Sequence, residues 1–240
     1  VSIPANFIYF HSFSFPRNLS DQQIEEAMKL NLRFSLPLSQ DAVYVDWETV
    51  QSQDTAKKEV VLCSAPKNYI DQYLTALSKA GVTTVALEFH ALSISRVLAL
   101  EPDSSAMIAI FSNNDLEIAI VESGALRFLQ SFNIDKIIEA GEMNIEMDIV
   151  IDKLWRAMNF YDSEKGQKGS INKLYLTGDY GKIRDYKEII GKKIEGLSVD
   201  FASILPIFPE MPLAKDSNLP QITFGASLRG LMPREEDAII

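Results

Sequence analysis

Three short apolar strands joined by tight polar turns, with a long amphipathic helix behind them, constrain this chain most. The strands read as Ala106–Phe111, Leu116–Val121 and Leu126–Phe132. Ser112-Asn113-Asn114-Asp115 makes the first turn and Glu122-Ser123-Gly124-Ala125 the second. Asn, Asp, Ser and Gly are the residues tight hairpins demand. Ile145, Ile149, Leu154, Trp155, Met158 and Tyr161 then recur at helical spacing. Ser163–Ser170 reads as a loop, and a strand over Ile171–Thr177 runs into Gly178-Asp179. A helix over roughly 182–192 and a strand near Leu197–Phe201 follow. Pro206–Pro220 holds four prolines and reads as a surface loop, and Ile222–Leu231 as a last helix.

The residues before this run read as a separate unit. Phe7–Phe15 is aromatic and alternating, as a half-buried strand is. Ser20 and Gln23 are spaced as a capping box, opening a helix with Ile24, Ala27, Met28 and Asn31 on one stripe. Leu36-Pro37-Leu38 ends it, because proline disfavours helix at the residue before it. Ala42–Val50 and Glu59–Ala65 read as a hairpin across Gln51–Lys58. Ser64 or Ala65 is the expected cap of the next helix, with Pro66 in its first turn and Gly81 at its end. Val82–Glu88 reads as a strand, which completes a ferredoxin-like β-α-β-β-α-β order. His90–Leu100 reads as a short helix and Glu101–Ser105 as a linker. The expected division is therefore residues 1–100 and residues 101–240.

Composition narrows the function classes. The formal net charge of −10 disfavours nucleic acid and anionic lipid as nonspecific partners, since both reward basic patches. The apolar run that comes closest to a membrane span, Val82–Leu100, is interrupted by Glu88, His90 and Arg96, so a soluble chain is expected. Cys63, the one cysteine, sits in the apolar run Val60–Ala65 and reads as a core side chain. His11 and His90 have no second ligand at metal spacing, so no metal is expected. No Walker A, G-x-S-x-G or dinucleotide glycine run is present. No signal peptide is visible, and the start at Val1 without an initiator Met suggests a processed or excised piece.

Strand–strand–strand–helix–strand–helix–strand–helix is the order of a ribonuclease-H-like lobe. Together with the first unit, it resembles the PilM family, the cytoplasmic actin-like component of type IV pilus assembly. The carrying residues are Val1-Ser2-Ile3-Pro4 through Phe15-Pro16, and Glu25-Glu26-Ala27 leading to Phe34-Ser35-Leu36-Pro37-Leu38. Leu62–Lys67, Leu176-Thr177-Gly178-Asp179 and Phe224–Gly230 complete the set. None is specific alone; their order and spacing are. The resemblance implies an α/β actin/Hsp70-like fold with a ferredoxin-like small subdomain. The amino-terminal strand-turn-strand that carries that fold's first phosphate loop is not in the sequence.

Nucleotide-binding relatives carry D-x-G-x-x-T in the first hairpin of this lobe, where the acid acts through metal and water and Gly admits phosphate. Alignment puts Ile110 at the acid, Ser112 at the glycine, and Asp115 or Leu116 at the threonine. Ser112, Asn113 and Asn114 are thus degraded candidates for phosphate contact; turn formation alone also explains the two asparagines. Gly178 and Asp179 stand where the family places glycines against adenosine, and a plain turn again explains them. No catalytic residue is expected, and no cofactor, with ATP and magnesium reserved for a full-length protein.

The resemblance also implies a groove taking the short cytoplasmic tail of a PilN-like inner-membrane protein. Phe34, Leu36, Pro37 and Leu38 are the candidate shelf for that tail, or else they seal the subdomain core. The expected role is a scaffold on the cytoplasmic face of the inner membrane, held there by its partner or by a carboxyl-terminal extension. An ATPase completed by a missing lobe, or the cytoplasmic domain of a type II secretion scaffold, are the alternatives.

Overall fold

The computed structural model describes residues 1–35, 39–50, 52, 54–98, 100–101, 104–112, 114–139, 146–166, 169–178, 180–203, 222 and 225–227. Contacts divide them into two units. Among the described residues the first holds Val1 and Phe7–Glu88, the second Ser2–Asn6 and those from Phe89 onward. In chain order the elements up to the division are β1 (Ser2–Ile3), β2 (Tyr9–Pro16), α1 (Asp21–Ser35), β3 (Val43–Val50), β4 (Lys57–Pro66), α2 (Lys67–Lys79) and β5 (Glu88–Phe89). After it come α3 (His90–Leu98), β6 (Ser105–Ser112), β7 (Asp115–Glu122), β8 (Ala125–Asn133), α4 (Ile134–Glu139), α5 (Glu146–Lys165), β9 (Lys173–Gly178), α6 (Tyr180–Lys193) and β10 (Ser198–Phe201).

In the first unit an antiparallel sheet of order β2-β4-β3 carries α1 on one face. The capping box forms: Ser20 N–H donates to Gln23 Oε1 at 2.9 Å, and Gln23 N–H to Ser20 Oγ at 3.3 Å. Ile24, Met28 and Leu32 of α1 then pack on Val60 and Leu62 of β4, with Phe13, Phe15 and Trp47 at the rim. Gly81, at φ +75°, ends α2 in a Schellman motif. Val82 N–H bonds to Leu77 O at 2.9 Å and Gly81 N–H to Ser78 O at 3.0 Å.

Two expectations need correction here. Pro66 itself occupies the N-cap of α2, and no side chain caps it. The strand expected over Val82–Glu88 is reduced to Glu88–Phe89, which pairs with β1 outside the three-stranded sheet. Val82 is 47% exposed and Val85 94% exposed. Their β-branched side chains meet no core, and strand preference is largely a measure of burial. The order β2-β4-β3 is that of a βαββαβ unit without its last strand.

In the second unit five strands run β10-β9-β6-β7-β8. β6, β7 and β8 form an antiparallel meander, while β9 and β10 lie parallel to β6. This is the ribonuclease-H-like arrangement the element order predicts. Met107, Ala109 and Phe111 face Ile149 and Leu154 of α5 with Ile183 and Ile190 of α6. Ile108 and Ile110 point to the opposite face and are equally buried. The β7–β8 turn places Ser123 at φ 51° and Gly124 at φ 75°, a type I′ geometry. A register shift at Ile120/Val121 leaves Arg127 as the extra residue of a bulge. Its Nε lies 3.2 Å from Glu122 Oε2, which Lys165 Nζ also approaches at 2.7 Å. The short helix α4, which the sequence reading lacks, is capped by Asn133, whose Oδ1 accepts from Lys136 N–H at 3.0 Å.

Candidate functional site

Ligands of open α/β sheets sit beyond the carboxyl ends of the strands, where the strand order reverses. Here that point lies at the ends of β6 and β9, and it gathers Ser112, Asn114 and Gly178; Asn113 and Asp179 lie outside the described residues. Ser112 and Asn114 are exposed. The Asn114 amide donates to the Asp135 carboxylate, and Asn114 O accepts from Ile134 N–H at 2.8 Å. Asp115 is equally committed: Asn6 Nδ2 donates to its Oδ2 at 2.5 Å and Asn133 Nδ2 to its Oδ1 at 2.8 Å. These polar groups tie the hairpin to α4 and to residues 2–6.

Gly178, at φ 125°, lies in register with Phe111. A Cβ built on it would stand 1.9 Å from Phe111 O, so the glycine is required by backbone packing. The Phe111 ring meets Tyr186 edge-on at 5.2 Å. Burial, and then the hydrogen bond to Glu146, push the Tyr186 phenol above its ordinary range.

Behind the turn lies a row that sequence reasoning missed. Glu117, Ile110 and Thr177 are register partners across β7, β6 and β9 and so share one face. All three are buried, with Glu117 at 1% exposure. Glu117 Oε1 stands 3.4 Å from Nδ1 of His90, the first residue of α3. Among the described residues neither carboxylate oxygen makes a hydrogen bond, and neither does Thr177 Oγ1. His90 therefore meets a carboxyl group. Among the described residues no three His, Cys, Asp or Glu converge at ligand spacing. The readable signal was an acid inside the apolar run Leu116–Val121.

A magnesium–phosphate clamp needs a free acid and open backbone amides near the phosphate. Ile110 supplies no ligand atom, Asp115 and Asn114 are occupied, and Glu117 points into the packed face. The described donors do not fit such a clamp. For the proposed shelf, Phe34 falls in the last turn of α1. Its side chain, and Leu36, Pro37 and Leu38 entirely, lie outside the described residues.

Among solved structures, the PilM-PilN type IV pilus biogenesis complex matches 95% of this chain and 77% of its own, at 14% identity and a TM-score of 0.73. A Bacteroides thetaiotaomicron VPI-5482 protein with an actin-like ATPase fold and unknown function matches at TM-score 0.41 and 14% identity, over 82% of this chain and 67% of that one. MreB 5 of Spiroplasma citri bound to AMPPNP matches at TM-score 0.46 and 9% identity, over 69% and 65%. No curated protein sequence matches. The profile of the type IV pilus assembly protein PilM family matches residues 1–133, more than half of the sequence. With the fold shared over nearly its whole length, the chain belongs to the PilM family of type IV pilus assembly proteins.

Proposed function

We propose that this chain is a scaffold of type IV pilus assembly, lying on the cytoplasmic face of the inner membrane and binding the amino-terminal tail of a PilN-like protein. The observation that carries this reading is the fold shared over 95% of the chain with a protein solved as a PilM-PilN complex. Among the described residues no helix is long and apolar enough to cross a membrane; in this reading a partner or a carboxyl-terminal extension holds the chain at the membrane. Phe34, Leu36, Pro37 and Leu38 are the proposed apolar contacts for the tail.

In this reading the phosphate site has been given over to structure. Ser112, Asn114 and Gly178 hold the hairpin and the strand end rather than a nucleotide, and Asn113 and Asp179, beside them in sequence, are assigned no nucleotide contact either. The apolar Ile110 and the occupied carboxylate of Asp115 support that assignment.

Calorimetry on the full chain tests both parts. A peptide copying the tail of a PilN-like protein should bind without nucleotide, and magnesium-ATP should neither bind at micromolar concentration nor release phosphate. Metal-dependent turnover above a protein-free control would overturn the scaffold reading. Failure of the peptide would overturn the partner.

A further inference from the structure

We infer that the groove between α6 and β10 docks a short acidic segment of a partner protein in an extended conformation. The groove has a volume of about 520 Å³. Arg184, Lys187, Glu188, Gly191 and Lys192 of α6 line it on one side, with three cations against one acid, and Val199 and Phe201 of β10 line it on the other. This surface lies along the helix and sheet edge, none of its lining residues belongs to the turn that holds Ser112 and Asn114, and it does not depend on the PilN-like reading.

Charge gives the first argument. The α6 sequence carries Lys182, Arg184, Lys187, Lys192 and Lys193 against Asp185 and Glu188. The chain as a whole stands at −10, so this helix is opposite in sign to the net charge of the chain. Lys187 is engaged by Asp200 at 2.9 Å, Lys192 by Glu188, and Lys193 by Asp148 at 2.9 Å. Arg184 has no charged or hydrogen-bonding partner among the described residues, and its guanidinium is suited to bidentate carboxylate recognition.

Gly191 gives a second, independent argument. Glycine inside a helix weakens it relative to alanine. Nothing in the fold demands one here, since an added Cβ would meet only Val199 Cγ2, at an ordinary 3.9 Å. The missing side chain leaves the groove open between the α6 side and the β10 side. A peptide backbone can lie against Gly191, set an apolar side chain on Val199 and turn a carboxylate toward Arg184. The net charge of −10 disfavours a long polyanion or an anionic bilayer as the occupant.

The test is an amide NMR titration of the full chain with a short peptide of alternating Glu and Val, alongside a matched Lys and Val peptide. The acidic peptide should shift the amides of Arg184, Gly191 and Val199, with an affinity that falls as salt rises. Arg184→Glu should weaken it at least tenfold. Gly191→Leu should also weaken it tenfold while leaving the melting temperature equal or higher, which separates a filled groove from a damaged fold. Equal shifts with the basic peptide, or no shifts with the acidic one, would overturn the proposal. So would shifts produced only by phosphatidylglycerol vesicles, or only by raising protein concentration, which would assign the groove to a bilayer or to a second copy.

Discussion

The two units solve the burial of a sheet differently. In the second, β6 and β7 are buried along almost their whole length, as continuous runs covered on both faces. In the first, only the central strand β4 is so treated, while β2 alternates between half-buried and exposed positions. A polar group in β2 or β3 therefore has water within reach. Glu117 and Thr177 do not. The comparison teaches that substitutions of similar size should have unequal effects in the two units.

The largest effect is expected at Gly178. Alanine there would drive its Cβ to 1.9 Å from Phe111 O, between two paired strands that have nowhere to move. Overpacking and the left-handed backbone together should remove about 4 kcal/mol, measured as a lowered denaturant midpoint. A loss below about 1 kcal/mol would break the packing account and return Gly178 to the list of ligand-facing glycines.

The buried pair comes next. His90→Ala leaves the buried Glu117 side chain without its nearest polar neighbour and should cost about 2 kcal/mol. Replacing both His90 and Glu117 by leucine removes the buried polar group as well as its neighbour, so the double variant should lie close to the parent in stability. A double variant as weak as the single one would show that the pair is needed for shape rather than for polar compensation.

These positions mark where the sequence was legible. The runs Ala106–Phe111 and Leu116–Val121 could be placed because both flank tight turns and neither alternates. Ser20 with Gln23 and the terminating Gly81 were also readable, since caps depend on neighbours only a few residues away. The Glu117–His90 approach was not, because the fold joins residues far apart in the chain. Val82–Glu88 misled for the converse reason: its β-branched residues suit a strand, but burial is decided by elements elsewhere. At the site, local order located the hairpin turn. The commitments of Asn114 and Asp115 rest on Asp135, Asn6 and Asn133, partners that no local pattern marks.

In the first unit the expected effects are smaller and can be isolated. Burial, with Asp46 and Glu48 adding to it, pushes the Cys63 thiol far above its usual range. The unfolded chain releases that proton above about pH 8.5 while the folded chain keeps it. Stability is therefore full below that pH and falls as pH rises, by up to about 1.4 kcal/mol per unit. Cys63→Ala should flatten this slope, and thiol labelling at pH 8 should be slow unless the unit opens. An unchanged slope in the variant would reject the assignment to Cys63.

Ser20→Ala should have the smallest effect and sharpens the comparison most. It removes the acceptor for Gln23 N–H while leaving Gln23 Oε1 able to accept from residue 20 N–H, so half of the capping box survives. A loss of about 1 kcal/mol is expected. Native-state hydrogen exchange should show it in the amides of α1, with β6 and β7 keeping their protection, because local openings need not engage a separately packed core. If protection in β6 and β7 falls by the same free energy as in α1, the two units unfold as one, and the contrast between a wet sheet and a dry one has no energetic counterpart.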